Sequence, residues 1–89
     1  MAEFSVDVRV IPRRGILDPQ GQAVEGALRS LGFERIQEVH VGRLIVLQLD
    51  ADDEAEARAL AEAMCRKLLA NPVTEDFTVD VTETGMGAP

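Results

Sequence analysis

The sequence is poor in aromatic residues: it has no tryptophan, no tyrosine and only three phenylalanines among 89 residues. The hydrophobic core must therefore be mainly aliphatic. A chain of this length forms one domain and buries only about 60% of the surface of its unfolded state, so its core is modest. Oligomerisation is a common way to extend so small a core, and we expect it here.

Basic residues are also scarce, with 9 Lys and Arg against 16 Asp and Glu and a formal net charge of −7. Nucleic acids repel such a chain unless it has a strong basic stripe. Apart from the end of the second predicted helix, the only adjacent basic pair is Arg13-Arg14. The composition argues against nucleic acid as a partner, and against an anionic membrane surface for the same reason.

Cys65 is the only cysteine, so the chain cannot form an internal disulfide and no oxidising compartment is implied. Charged residues interrupt the N-terminal segment, which lacks the apolar centre of a signal peptide. No apolar run approaches the roughly 20 residues that a membrane helix needs. These features predict a cytoplasmic protein.

Hydrophobic periodicity defines the first half of the chain. Residues 4–10 alternate between apolar and polar side chains, which is typical of a half-buried strand. Asp18, followed by proline, predicts a capped helix that ends at Gly32. An extended region over 36–49 is interrupted by Gly42, which permits either a hairpin of two strands or one long bent strand. We favour the hairpin.

The second half repeats the order of helix and strand. A helix begins in the acidic run 50–53 and ends at Asn71-Pro72, and alternation over 73–81 predicts a last strand. The order β-α-β-β-α-β is that of a ferredoxin-like α+β fold, with both helices on one face of an antiparallel sheet and the first and third strands central. We predict one domain over residues 1–83 and a loose tail over 84–89.

The strand over 44–49 is apolar on both sides, although the helices can cover only one face of the sheet. Scattered apolar residues are normal on a protein surface, but a contiguous apolar patch of several hundred Å² is uncommon on a monomer. We therefore expect a second copy or a partner to bury the open face. Ile45, Leu47 and Leu49 are the predicted oligomer interface.

The sequence offers no convincing catalytic set. Cys65 falls inside a predicted helix and His40 on a predicted strand, so we interpret them as an inert thiol and a surface imidazole. The acidic run at 50–54 lacks the spacing and glycine of a calcium loop. An anion could approach the basic loop before the first helix, but Asp18 already occupies that helix cap. No glycine-rich phosphate motif is present. We expect no catalytic, metal or cofactor site in this chain.

Three stretches of sequence resemble the PurS family. They are Gly-Ile-Leu-Asp-Pro-Gln-Gly at 15–21, Val-Gly-Arg at 41–43 and Leu-Leu-Ala-Asn-Pro-Val at 68–73, and the resemblance extends over about residues 6–81. Arg14 stands where the family often has proline, and Arg43 where it often has lysine. The residues after Val81 are additional.

The resemblance implies a structural subunit of phosphoribosylformylglycinamidine synthase, an enzyme of purine biosynthesis. In that complex a glutaminase subunit, PurQ, releases ammonia, and a synthetase subunit, PurL, binds ATP and magnesium and carries out the ligation. PurS-like proteins form dimers that bridge the two and are thought to assist ammonia transfer. The resemblance thus implies homo-oligomers, PurL and PurQ as partners, and no cofactor in this chain.

The three motifs are the predicted contacts with the partner subunits. The residues concerned are Arg13, Arg14, Asp18, Gly21, Val41, Gly42, Arg43, Asn71 and Pro72. Each motif also has a purely structural interpretation, as a helix cap, a turn and a helix end respectively.

Two other functions remain open from the sequence. A ferredoxin-like domain that senses an amino acid would share the predicted strand order. A small phosphatase on the same fold would need a phosphate-binding loop with an arginine at the start of the first helix, which Pro19-Gln20-Gly21 does not supply.

Overall fold

The computed structural model describes residues 1–84, which form three strands and two helices around one sheet. The elements are β1 (Ala2–Pro12), α1 (Pro19–Ser30), β2 (Arg43–Ala51), α2 (Glu54–Met64), which continues into a π-helical turn (Cys65–Leu69), and β3 (Glu75–Glu83).

The sheet is antiparallel throughout, with the order β2-β1-β3. Val6 lies opposite Leu47 on one side and Val81 on the other, and Val8 lies between Ile45 and Val79. The predicted α+β class with an antiparallel sheet is confirmed, as is the central position of the first strand. The segment over 44–49, predicted as a second central strand, belongs to β2, which lies at the edge of the sheet.

The core lies between the sheet and α2. Val6, Val8 and Val10 of β1 are fully buried, and they face Ala61 and Cys65 on the helix side. Small side chains on the helix allow it to approach the sheet closely, so a core with few aromatic residues can still be dense. Because the side chains of a strand alternate, the odd-numbered residues of β1 lie on the opposite, open face of the sheet.

Local signals begin and end the helices as the sequence predicts. Asp53 caps α2 by accepting a hydrogen bond from the Glu56 N–H at 2.8 Å. Gly32 has a φ of +100° and closes α1, and the Phe33 N–H donates to the Leu28 carbonyl at 3.1 Å.

The first helix departs from the prediction that both helices cover the sheet. Neither core cluster of the described chain contains a residue of α1, which has no substantial contact with another helix or strand. The radius of gyration is 16.9 Å, against about 12 Å expected for a compact chain of this length. The reason is the path of residues 13–42, here called the arm, which leaves the sheet where β1 ends and β2 begins.

The segment over 36–41, predicted as a strand, runs beside α1 and does not join the sheet. Its backbone forms hydrogen bonds with side chains of α1 and of its N-cap instead. The Ile36 carbonyl accepts from the Arg29 side chain at 2.6 Å, and the Val41 N–H donates to the Asp18 carboxylate at 3.0 Å. These hydrogen bonds satisfy backbone groups that would otherwise pair with a neighbouring strand. There is accordingly no hairpin at Gly42, and β2 begins directly after it.

The last described residue, Thr84, still donates hydrogen bonds to the Glu3 carbonyl from its N–H and its hydroxyl. The rest of the predicted tail, 85–89, lies outside the described residues. Neither helix within residues 1–84 has the length and apolar character needed to cross a membrane.

Candidate partner-binding site

Asp18 joins the two sides of the arm. Its Oδ1 accepts from the Gly21 N–H and its Oδ2 from the Val41 N–H, each at 3.0 Å. The side chain is only 9% exposed, and these two backbone hydrogen bonds hold the pKa of its carboxyl below the ordinary value. Asp18 therefore caps α1, as predicted, and also fixes the segment that leads into β2.

A glycine is needed at position 21 because the segment that Asp18 holds in place passes close to the backbone there. A Cβ at this position would lie less than 3.0 Å from the Val39 carbonyl oxygen and from the Asp18 carboxylate. The segment over 36–41 therefore touches the α1 backbone, and a larger residue at position 21 would displace this segment. Gly21, Asp18 and Val41, three of the predicted contact residues, form one cluster at the start of α1.

His40 is part of this cluster, and sequence reasoning treated it as an ordinary surface imidazole. Its Nε2 lies 2.7 Å from Glu38 Oε1 and its Nδ1 lies 3.4 Å from Asp18 Oδ2. The hydrogen bond with Glu38, followed by that with Asp18, raises the pKa of His40. Hydrogen bonding to His40 in turn lowers the pKa of Glu38, with a smaller contribution from the charge of Arg14. The three side chains border a cavity of about 390 Å³.

A second cluster connects the two other motifs at the base of the arm. Arg43 donates to both carboxylate oxygens of Glu75, at 2.8 and 3.0 Å, and to the Leu69 carbonyl at 2.6 Å. Glu75 also accepts from the Asn71 N–H at 2.8 Å. This arrangement raises the pKa of Arg43 and lowers that of Glu75, mainly through their mutual hydrogen bonds. Bidentate geometry makes such a pair stronger than a single contact.

Arg13 and Pro72 border one cavity beside this second cluster. Arg13 Nε lies 3.0 Å from Asp76 Oδ1, and the Arg13 N–H donates to the Thr74 carbonyl at 2.8 Å. Arg13 and Pro72 both line a cavity of about 320 Å³ next to β3. At Gly42, a Cβ would lie less than 3.0 Å from the Val10 carbonyl oxygen, so glycine is needed for close packing there. The structure thus brings Arg13, Arg43 and the Asn71-Pro72 junction to one end of the sheet.

The predicted oligomer-interface residues occupy the helix-covered side of the sheet. Ile45, Leu47 and Leu49 lie opposite Val8, Val6 and Phe4, and each is half-buried against the core. The assumption that they face the open side is wrong, because the register places them with the even-numbered residues of β1. Their participation in an interface remains a prediction.

A different apolar strip lies on the open face. Ile11, Leu44 and Val46 are 53–55% exposed and follow the β1–β2 half of the sheet. The β1–β3 half of the same face is polar, and Arg9 there pairs with Asp80 across the strands. The open face therefore combines a narrow apolar strip with a charged surface.

Sequence reasoning also missed the apolar surface of the arm. Leu17, Leu31 and Phe33 are 71%, 74% and 57% exposed. Leu31 continues the helical spacing of Val24, Ala27 and Leu28, and this face of the first helix was predicted to cover the chain's own sheet.

The cysteine is structural in character. Cys65 begins the π-helical turn after α2 and is fully buried in the core, and this burial raises the pKa of its thiol. Within residues 1–84, no group of three or more His, Cys, Asp or Glu side chains is arranged to hold a metal ion.

Comparison with known proteins gives a consistent result. The family model described as PurS, phosphoribosylformylglycinamidine (FGAM) synthase, matches residues 5–83. The PurS subunit of Mycobacterium leprae is 45% identical over 73 residues, covering 81% of this chain and 87% of the relative. That of Bacillus subtilis is 39% identical over 80 residues, covering 90% and 94%.

Solved structures agree with the sequence comparison. Bacillus subtilis PurS in a C2 crystal form superposes with a TM-score of 0.80 at 39% identity, covering 90% of this chain and 99% of that one. A chain of the Thermotoga maritima PurLQS structure superposes with a TM-score of 0.83 at 28% identity, covering 92% and 100%.

The fold and its two clusters define a small α+β chain whose polar groups hold a projecting arm in place and whose apolar surfaces are incompletely covered. This is the form of an assembly subunit. The chain belongs to the PurS family, whose curated members are subunits of FGAM synthase. The comparisons give no support to the amino-acid-sensing alternative.

Proposed function

We propose that this chain is the non-catalytic subunit of an FGAM synthase complex, in which it forms a homo-oligomer and bridges a PurL-type synthetase and a PurQ-type glutaminase. Its task is to keep the two active sites aligned, so that ammonia released from glutamine reaches the synthetase before it escapes or is protonated. ATP and magnesium bind the synthetase, and this chain needs no cofactor. The complex operates in the cytoplasm.

The observation that carries the proposal is the amount of apolar side chain left uncovered in two separate places. The arm exposes Leu17, Leu31 and Phe33, and the open face exposes Leu44 and Val46. A monomeric protein rarely leaves several such regions in contact with water. Two distinct uncovered surfaces on one small chain suit a subunit that contacts more than one neighbour.

The polar clusters support an interface that is rigid before binding. Asp18 fixes the start of α1, and the Arg43–Glu75 pair fixes the junction between the arm and the sheet. A surface that is ordered in the free chain loses less entropy when it binds. The thiol of Cys65 is buried and its pKa is raised, so this side chain is poorly suited to act as a nucleophile.

The decisive experiment compares two sources of nitrogen. FGAM formation is measured with purified PurL and PurQ proteins, with and without this chain, using either glutamine or an ammonium salt. We expect the chain to increase the glutamine-dependent rate strongly and to leave the ammonium-dependent rate of the synthetase nearly unchanged. Equal glutamine-dependent rates in the two mixtures would contradict the bridging role.

A matched pair of variants tests the predicted contact residues. Arg14 is exposed at the start of the arm and Arg35 is exposed beyond α1, so Arg14→Glu and Arg35→Glu make the same charge change at two places. We expect Arg14→Glu to weaken retention of a partner subunit in a pull-down with glutamine and nucleotide, and Arg35→Glu to retain it. Equal retention by both variants would remove Arg14 from the proposed interface.

A further inference from the structure

His40 lies between two carboxylates that belong to different parts of the arm. Its Nε2 is 2.7 Å from Oε1 of Glu38, in the same segment, and its Nδ1 is 3.4 Å from Oδ2 of Asp18, the cap of α1. A neutral imidazole carries one N–H and one lone pair, so it can donate to only one of these carboxylates. The imidazolium carries an N–H on both nitrogens and therefore matches both acceptors.

The acidic groups around His40 favour the same protonated form. Asp18, Glu25 and Glu38 all border the cavity of about 390 Å³ that His40 lines. Asp18 belongs to the helix cap, Glu25 to α1 and Glu38 to the segment over 36–41, so each element that packs around the imidazole contributes a carboxylate. With a neutral ring these like charges repel one another, whereas the imidazolium places a cation among them.

Two arginines balance part of this negative charge. Arg29 of α1 pairs with Glu25 at 3.0 Å, and the charge of Arg14 acts on Glu38, although less strongly than His40 does. Carboxylates outnumber guanidinium groups among these residues, and a proton on His40 restores the balance. In agreement, the hydrogen bond with Glu38 raises the pKa of His40.

The segment that carries His40 is held in place by a small number of hydrogen bonds. The Val41 N–H donates to Asp18 at 3.0 Å, and the Ile36 carbonyl accepts from Arg29 at 2.6 Å. The segment belongs to no strand, and α1, on which it rests, has no substantial contact with another helix or strand of the described chain. Local opening of such a segment costs less free energy than unfolding of the sheet, so one titrating group can change how often it opens.

We propose that His40 is a proton-controlled switch of the arm: its imidazolium holds the segment over 36–41 against the start of α1, and loss of the proton lets this segment open. In the open state Asp18 keeps its hydrogen bond from the Gly21 N–H, so α1 remains capped, while the Val41 N–H loses its acceptor. The switch operates within one chain and requires neither PurL nor PurQ, so it stands independently of the bridging role.

The sign of the effect follows from the raised pKa of His40 in the closed arm. The imidazolium supports the closed state fully below pH 6.5, and this support is lost as the pH rises through the titration midpoint of the closed form. The His40 side chain is 34% exposed, so solvent can exchange its proton without unfolding of the chain. The switch therefore opens the arm on the alkaline side and closes it on the acid side.

Solvent exchange of the Val41 amide tests the switch in the full-length chain, by NMR over a range of pH on both sides of neutrality. The reference is the Ala57 amide, which donates to the Asp53 carbonyl at 3.0 Å in α2, away from the arm. The protection of each amide is expressed relative to an unstructured peptide at the same pH, which removes the intrinsic pH dependence of exchange.

The expected change can be calculated from the titration of the imidazole in the same samples. The protection of Val41 relative to Ala57 should begin to fall above pH 6.5 and level off above the titration midpoint of His40. The total loss should be about tenfold for each pH unit by which that midpoint exceeds 6.5.

Three variants distinguish a switch from a side chain that only supports the fold. His40→Gln cannot be protonated, so the relative protection of Val41 should no longer change with pH. Glu38→Gln removes the closer carboxylate and should reduce both the titration midpoint of His40 and the loss of protection. Glu34→Gln is the matched control at an exposed position of the same arm and should leave both unchanged. A relative protection of Val41 that is constant with pH in the unaltered chain, the same pH dependence in His40→Gln, or equal behaviour of Glu38→Gln and Glu34→Gln would each overturn the proposal.

Discussion

Two glycines of α1 allow a direct test of how closely the segment over 38–41 packs against this helix. Gly21 and Gly26 lie in the same helix, but a Cβ at Gly21 would collide with the Val39 carbonyl oxygen, whereas a Cβ at Gly26 would have no atom within 4 Å apart from its chain neighbours and the backbone of its own helix. We predict that replacement by alanine destabilises the protein at Gly21 and stabilises it at Gly26.

The magnitudes follow from two opposing effects. Alanine in place of glycine inside a helix stabilises by about 0.5–1 kcal/mol, and this gain alone applies to Gly26→Ala. At Gly21 the same gain opposes a steric cost of about 2–3 kcal/mol, because the obstructing atom is a backbone oxygen and the chain must move. The net loss at Gly21 is about 1–2.5 kcal/mol, and the two variants differ by about 2–3 kcal/mol.

Thermal unfolding followed by far-ultraviolet circular dichroism, at one fixed protein concentration, measures the difference. For a domain of this size each kcal/mol corresponds to about 4–8 °C in Tm. We expect Gly21→Ala to melt at least about 8 °C below Gly26→Ala. If both variants melt above the unaltered protein, the segment at 38–41 does not rest on α1 and our description of the arm is wrong.

Three further predictions concern titratable groups. His40 is the only histidine, so its imidazole can be titrated by NMR without ambiguity, and we expect a midpoint above the ordinary 6.5. Because its pKa is raised in the folded state, the contribution of His40 to stability is fully present below pH 6.5 and is lost as the pH rises through the folded value. His40→Gln should remove this loss of stability. A titration midpoint at or below 6.5 would contradict the raised pKa. The pKa of Glu75 is lowered from 4.5, so its contribution is present above pH 4.5 and is lost on acidification through the lower folded value. Glu75→Gln should reduce Tm at pH 7 and flatten the Tm profile below pH 4.5, whereas an unchanged profile would show that the pair with Arg43 adds nothing. The Cys65 thiol should react with a thiol reagent at least roughly a hundredfold more slowly in the folded protein than in urea, and equal rates would contradict its burial.

Local sequence signals predicted local structure well. Asp18 caps the first helix and Gly32 ends it, the second helix begins at the end of the acidic run 50–53, and the alternation in β1 identified residues that are fully buried. Each of these features depends on neighbours within about one helical turn or two strand positions, and such neighbours can be read from a single sequence.

Predictions that needed distant contacts were less successful. Ile45, Leu47 and Leu49 were expected on the open face, and the register places them under the helix side. Alternation shows that two sets of side chains face opposite ways, but not which set meets the helix. The segment at 36–41 has strand-like residues and yet bonds to α1, because Asp18 supplies a hydrogen-bond partner from 23 positions earlier.

The residues of the candidate site were predicted from the sequence, but only the structure shows which of them lie together. Three separate motifs were predicted as contacts, but Glu75 is the group that joins Arg43 to Asn71, and nothing in the spacing of the chain indicated that link. His40 likewise acquires its properties from Glu38 and Asp18 and not from its own sequence context.

The sequence by itself determined the class of this protein: a small acidic α+β chain with capped helices, an aliphatic core and the motifs of the PurS family. Only the tertiary structure decided where its first helix lies, and therefore which apolar surfaces remain uncovered. The physical reason is that an apolar stripe specifies that a helix must be buried, while its partner surface is chosen by long-range geometry, and here that surface is not provided within the described chain.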